Sequence, residues 1–430
     1  MKRTKIKKSM FIFFVVLVLI FPLSSAHTDV EWQLNNVNAE MNNHLGIPLV
    51  FLKSEPFNIT KEKIFDRMIQ RAMKIARLSA LSAAVVVNNE TIWAKGFGLY
   101  DRENGKEATN ETIYLMASIS KTVTSTAVMQ LCERGYFGLD DDVNNFLPFG
   151  LRNPNYPDVP ITFRMLLSHT SSIAPEESDS PINYYIRVIP ANETVEGYPY
   201  PFLKEYLVPG GLYYRSNLWL DIRPGKKMAY SNIAFGVLGY LVEIISNKSF
   251  EEYCQENIFE PLDMKDSSFL ISNINVSKLA IPYNIEKRKY VPIMHFTFMD
   301  YPAGGLRTSV LDLSHFLIAH MNGGVYNGTR ILNESTVEEM HTIQCNNTDH
   351  NFKYGLGWQI WGKPGNKNQL IFHGGGSWGV TTVMDFSPYD KIGIIFFTNI
   401  NQHGSKIQDF REKISISFIT ALLFGKGFMS

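Results

Sequence analysis

The sequence predicts an α+β chain: an antiparallel sheet flanked by terminal helices, with a mostly helical region inserted between its strands. Three observations predict it. Apolar, strand-like runs cluster in residues 81–98 and again in 354–398. The long stretch between them reads as helices and loops. The late strands are separated by short turns, Gly365-Asn366 and Pro388-Tyr389-Asp390, and connections that short join antiparallel neighbours. With 430 residues, 45% of them hydrophobic, the chain has enough apolar material for a large core.

The elements follow in order. Lys2, Arg3, Lys5, Lys7 and Lys8 precede an apolar run over residues 10–23, and the small residues Ser24-Ser25-Ala26 come next. This three-part layout predicts a signal peptide over residues 1–26, cleaved after Ala26, and hence a secreted or extracytoplasmic protein. The run is short of the roughly 20 residues of a membrane span, so membrane contact is expected only if the segment stays uncleaved as an anchor. Residues 27–58 are Asn-rich without clear periodicity and read as an N-terminal extension or linker. One domain is expected over residues 59–430. It opens with a helix, since Ile64, Phe65, Met68, Ile69, Met73 and Ala76 recur at helical spacing. Residues 81–87 form a strand, Asn88-Asn89-Glu90 a turn, and residues 91–98 a second strand. A long helix over 118–134 is stopped by Gly135. The Tyr- and Pro-rich stretch 182–224 reads as long loops. Tyr185, Tyr198, Tyr213, Tyr214 and Trp219 offer pocket walls there, with core positions as the alternative. Helices over 233–246 and 250–259 follow. Strands over 354–361, 370–373, 380–386 and 392–398 come next, and a last helix over 407–424 is expected to pack on the sheet.

Composition excludes several functions. Lys plus Arg equals Asp plus Glu at 41 each, so there is no electrostatic case for nucleic acid. No Cys/His spacing reads as a metal site, and nothing calls for a cofactor. Cys132, Cys254 and Cys345 allow at most one internal disulfide, in any of three pairings, and read more simply as small apolar residues. Nine Asn-x-Ser/Thr sequons, beginning at Asn58, Asn89, Asn110, Asn192, Asn247, Asn275, Asn327, Asn333 and Asn346, exceed the about four expected by chance. They agree with an exported glycoprotein.

The chemistry starts at Ser118-Ile119-Ser120-Lys121. Residues three apart share a helix face, which makes the hydroxyl and the amine neighbours. A serine hydroxyl is a weak nucleophile until a base takes its proton, and a buried lysine can serve as that base. A helix N-terminus adds free N–H groups for an oxyanion. Alone, Ser-x-x-Lys is weak, being equally a capping serine and a solvated lysine. Two further groups give it context. Tyr230-Ser231-Asn232 precedes a helix, so that Tyr230 can relay a proton and Asn232 can donate to and accept from a substrate amide. His373-Gly374-Gly375-Gly376 ends a strand, where glycines leave room for close approach to the strand edge.

These three groups, in this order, resemble the serine β-lactamase-related family, which includes class C β-lactamases, penicillin-binding carboxypeptidases, D-aminopeptidases and esterases. Its motifs are Ser-x-x-Lys, Tyr-x-Asn and Lys/His-x-Gly. Residues 96–101, the loop Leu166-Leu167-Ser168-His169-Thr170-Ser171, Pro224-Gly225, Pro261-Leu262 and Ala303-Gly304-Gly305-Leu306 extend the likeness from about Lys61 to the last helix. The resemblance implies a β-lactamase/transpeptidase-like fold and a serine hydrolase working through an acyl-enzyme on Ser118. Lys121 and Tyr230 would share acid and base work. Asn232, His373 and Gly375 would bind substrate, and the N–H groups of Ser118 and Gly376 would form the oxyanion hole. His169 would be a structural loop residue. Two positions depart from the pattern. Ser172 stands where the loop usually has Gly, and His373 stands where many members have Lys. Histidine is largely uncharged near neutral pH, so the departure implies a preference for neutral amides or esters, and affinity for carboxylate substrates that falls as pH rises through the histidine pKa. No acidic deacylation base of the class A kind is evident. The substrate is expected to be a small molecule or peptide. A β-lactamase or D-Ala-D-Ala carboxypeptidase, and a non-catalytic binder on the same fold, are the competing readings, and the oligomeric state is open.

Overall fold

The computed structural model describes residues 59–175, 200–349, 352–366 and 369–401. The expected signal peptide, the extension, Tyr185, Tyr198 and the tail helix lie outside them. Leu78–Gln402 forms one compact unit, apart from a second that holds helix α1 (Ile59–Ala76). The predicted first helix is thus present as an element.

The larger unit begins with β1 (Ala80–Val87), β2 (Glu90–Asp101), β3 (Lys106–Glu107) and β4 (Tyr114–Leu115), followed by helices α2 (Ser120–Glu133), α3 (Phe163–Leu167), α4 (Tyr200–Leu207), α5 (Asn232–Ser246) and α6 (Phe250–Cys254). Hairpin β5–β6 (Tyr283–Glu286, Lys289–Pro292) and β7 (Arg307–Thr308) lead to α7 (Val310–Met321), hairpin β8–β9 (Val325–Tyr326, Thr329–Arg330) and α8 (Glu334–Met340). The chain then returns to strands: β10 (Lys353–Tyr354), β11 (Gln359–Trp361), β12 (Leu370–Ser377), β13 (Val380–Ser387) and β14 (Ile392–Thr398).

Eight strands form one sheet in the order β10-β11-β12-β13-β14-β1-β2-β3. Every pairing in it is antiparallel. Early and late strands therefore share a sheet and the helices lie between them in sequence, as predicted. The seam joins β1 to β14, with Leu81 opposite Thr398 and Val87 opposite Ile392. Apart from Ser82, β1 is apolar at alternate and intervening positions alike, and all but Val87 are buried, which suits a central strand covered on both faces. One cover is α7, which packs along β1, β2 and β14. There Thr91 Oγ1 donates to Ser314 Oγ at 2.9 Å.

Three predicted boundaries shift for local reasons. The strand expected over 354–361 is two short strands, because Gly357 adopts φ 81° between them and a Cβ there would lie 1.8 Å from Ser125 Oγ. The helix expected from 118 starts as a 3₁₀ turn, Ala117–Ile119, before α2. The helix expected over 250–259 is α6 followed by a π-turn, Gln255–Phe259, with Ser249 and Glu252 closing a capping box at its start. All three cysteines are free thiols. Cys254 is fully buried, whereas Cys132 and Cys345 are half-buried.

Candidate active site

Ser118 lies in the 3₁₀ turn, just ahead of α2. Ala117 before it has φ 49°, a left-handed backbone for a residue with a Cβ. The strain is held from three sides. Met116 N–H donates to Leu306 O at 2.8 Å, and Thr382 Oγ1 donates to Met116 O at 2.8 Å. Ser120 Oγ accepts from Leu306 N–H at 3.0 Å. The nucleophile turn is thereby tied both to β13 and to the loop 301–306.

Lys121 is fully buried. Its Nζ stands 3.2 Å from Ser118 Oγ and 2.7 Å from the Ala303 carbonyl. The same Nζ lies 5.0 Å from the ring centroid of Tyr230 and 5.7 Å from that of Phe235. Among the described residues no carboxylate comes within ion-pair distance of it. The Ala303 carbonyl fixes one N–H and so orients the nitrogen toward Ser118.

Tyr230 and Asn232 flank Ser231 at the start of α5. The loop bearing His169 positions them. Ala229 N–H donates to His169 O at 2.7 Å, and Ser231 N–H donates to His169 Nδ1 at 3.1 Å. The His169 and Tyr230 rings lie 4.3 Å apart. His169 thus acts on the segment that carries Tyr230, which gives the structural reading a specific content. Ser172 has φ 63°, the conformation that explains why a glycine suits that position; here Asn153 Nδ2 donates to Ser172 Oγ at 2.8 Å.

The third motif differs from expectation in detail. β12 does not end at His373 but runs on to Ser377, paired with β13 from Ile371 onward. It pairs with β11 only over Leu370–Phe372, so beyond that its outer edge is unpaired by strand. Side chains alternate along it. His373 and Gly375 face inward and are buried, while Gly376 is exposed. A Cβ on Gly375 would lie 2.2 Å from Met116 O, 2.3 Å from Thr382 Oγ1 and 3.1 Å from Ser118 N. The absent side chain therefore admits the nucleophile turn, not the substrate. Gly376 has open space where its Cβ would be.

His373 needs the clearest correction. Its ring is fully buried, with Nδ1 2.9 Å from the Gly374 carbonyl and Nε2 2.8 Å from the Tyr354 hydroxyl. A carbonyl only accepts, so Nδ1 carries a proton, and Nε2 shares a hydrogen bond with the Tyr354 hydroxyl. Direct contact with a substrate carboxylate does not fit a ring held inside the protein at both nitrogens. Tyr354 was invisible as a site residue in the sequence, where it is simply the first residue of a strand. The Ala303 carbonyl, Thr382 and Ser120 were likewise unreadable, because their roles lie in backbone contacts between distant segments.

The comparisons with known proteins agree with this geometry. The profile of the Beta-lactamase family matches residues 65–416. "Protein flp" of Staphylococcus aureus (strain N315) is 25% identical over 345 residues, which are 78% of this chain; the match spans only 62% of that longer relative. The octameric penicillin-binding protein homologue from Pyrococcus abyssi superposes with a TM-score of 0.64 at 26% identity, covering 84% of this chain and 76% of that one. The class C β-lactamase from Rhodobacter sphaeroides shares the fold, with a TM-score of 0.64 at 17% identity over 83% of this chain and 99% of that one. A family profile spanning most of the chain, on a fold that sets Ser118, Lys121, Tyr230 and the β12 edge as described, means that this chain belongs to the beta-lactamase family.

Proposed function

We propose that the protein is an exported serine hydrolase that cleaves a small amide or ester through an acyl-enzyme on Ser118. The observation that carries the reading is the 3.2 Å approach of the buried Lys121 Nζ to Ser118 Oγ. A binding protein has no need of an activated nucleophile, and burying a lysine without a carboxylate costs stability.

The substrate carbonyl lies with its oxygen toward the N–H groups of Ser118 and Gly376. Ser118 Oγ attacks the carbonyl carbon while Lys121 and Tyr230 together take the hydroxyl proton. The tetrahedral intermediate collapses, the bond to the leaving group breaks, and the same pair returns the proton to the departing nitrogen or oxygen. Water then attacks the acyl carbon, its proton passing to the same pair; the bond from that carbon to Ser118 Oγ breaks, the pair returns the proton to Oγ, and the acid product leaves. Asn232 holds the substrate amide where there is one. With His373 turned inward, the third motif offers no side-chain cation, which supports neutral amides and esters over substrates with a free carboxylate at that end. Residues 1–26 direct the chain out of the cytoplasm, and the sequons carry glycans where the host supplies them.

The test is labelling by a fluorophosphonate together with a panel of aminoacyl amides, D-Ala-D-Ala peptides, short-chain esters and a chromogenic cephalosporin. Labelling at Ser118 with turnover of an ester or amide is expected. Absence of both would favour a non-catalytic binder, and preferential turnover of the cephalosporin would make the chain a β-lactamase.

A further inference from the structure

Beside the nucleophile turn lies a set of aromatic side chains that the catalytic scheme does not use. Ala117, next to Ser118, packs in one apolar cluster with Leu115, Phe296 and Val380, and Phe298 and Ile293 lie against it. The Phe298 ring sits over Gly304: a Cβ on that glycine would be 3.4 Å from the Phe298 ring edge and 4.0 Å from the Ala117 carbonyl carbon. Phe296 is perpendicular to Phe298 at 5.4 Å between centroids and lies 5.8 Å from Trp378. Trp378 is 43% exposed, at the turn that follows β12. Phe298 is half-buried and Phe296 is buried between the two.

The placement matters more than the count. One end of this rim touches the residue before Ser118. The other lies two residues beyond Gly376. Both proposed oxyanion donors are thus attached to it. Residues 293–299, Ile-Met-His-Phe-Thr-Phe-Met, bring no carboxylate, lysine or arginine. Arg307, whose guanidinium reaches this segment, is buried and spends it on the carbonyls of Gly305 and Phe296. His295 stays neutral, its pKa lowered to about 4 by burial and by Arg307.

Resting on the hydrolase reading above, we infer that Phe298 and Trp378, backed by Phe296, form the acyl-group subsite, which selects substrates with an apolar acyl chain. The leaving group must reach the proton held by Lys121 and Tyr230. The acyl chain stays on the enzyme and lies along the Ala117 and Gly376 side.

The experiment measures kcat/KM for p-nitrophenyl acetate, butyrate and hexanoate, and for acetates of ethanol, butanol and hexanol, after fluorophosphonate titration of active Ser118. Burial against a half-exposed rim is worth roughly twofold per methylene, so hexanoate should exceed acetate by about 15-fold. Phe298→Ala and Trp378→Ala should each reduce that ratio at least about threefold. A ratio taken within one preparation is independent of how much of the variant folds. A flat acyl series in a parent labelled at Ser118 overturns the subsite and leaves the hydrolase reading standing. A slope carried by the alcohol series, or one unchanged in both variants, also overturns the subsite. A parent that is not labelled at Ser118 overturns both.

Discussion

At the level of single residues, Ser118 and Lys121 were legible because a local spacing brings them together and the helix geometry does the rest. Ser118→Ala should abolish fluorophosphonate labelling while leaving the melting temperature near that of the parent, checked by intact mass and calorimetry. Lys121→Ala should slow acylation by at least the ~100-fold typical of a lost general base, and a variant within tenfold of the parent would make Lys121 a bystander. His373 shows where local reading stops. Its residue type suggested a pH-dependent carboxylate sensor, but its direction depends on strand parity and on Tyr354, a hydrogen-bond partner 19 residues away. With both ring nitrogens engaged internally, matched free-acid and methyl-ester substrates should keep a constant kcat/KM ratio from pH 5.5 to 8.5, apart from titration of the substrates themselves. A ratio that falls as pH rises through the usual imidazole range would restore the carboxylate role.

Among the elements, β12 carries the sharpest test. Gly375 and Gly376, two of its three consecutive glycines, look alike in sequence, yet alternation gives them opposite surroundings. Gly375→Ala places a methyl 2.2 Å from the Met116 carbonyl and must displace the nucleophile turn or the strand. Both a lower melting temperature and loss of labelling are expected. Gly376→Ala meets nothing within 4 Å, so the melting temperature should stay within a degree or two while ester turnover falls. Equal loss of stability in the two variants would contradict the register. Helices α1, α2, α5 and α6 were legible from apolar spacing, and the sheet from its runs and turns, whereas α4 (Tyr200–Leu207) lies inside the stretch that reads as loops, where its eight residues give too little periodicity among the Tyr and Pro. The two-residue pairing of β4 with β7, Leu115 opposite Arg307, was not. So short a pairing has no periodicity to detect, although it helps align the loop that holds Lys121.

Over the whole molecule, His320 and His341 contribute a loss of stability on the acid side. Burial holds His320 well below the usual imidazole range, and His341, with its ring 5.5 Å away, is lowered to about 3 by its dry surroundings. Between that value and the ordinary 6.5 the unfolded chain binds protons that the folded chain does not. Stability from this pair is therefore complete above about pH 6.5 and is lost progressively as pH falls toward 3. The melting temperature should drop across that window, and His341→Gln should flatten the drop; an unchanged slope in the variant would assign it to other groups. The antiparallel architecture was readable at this scale because both chain ends supply strands. Which helix covers the sheet was not, since α7 reveals its partner only through contacts such as Thr91 with Ser314.

The β1–β14 seam has a consequence for biosynthesis. Ala80 N–H is bonded to the Asn399 side chain, 319 residues further along the chain. The central strand pair and the β12 edge beside Ser118 therefore cannot close until Asn399 has left the ribosome. Contacts this distant in sequence make folding slow and late. For a chain exported as proposed above, that delay would keep the sheet unassembled until translocation. Ser118 is synthesised 281 residues before Asn399, and it becomes a catalyst only once that later segment has paired.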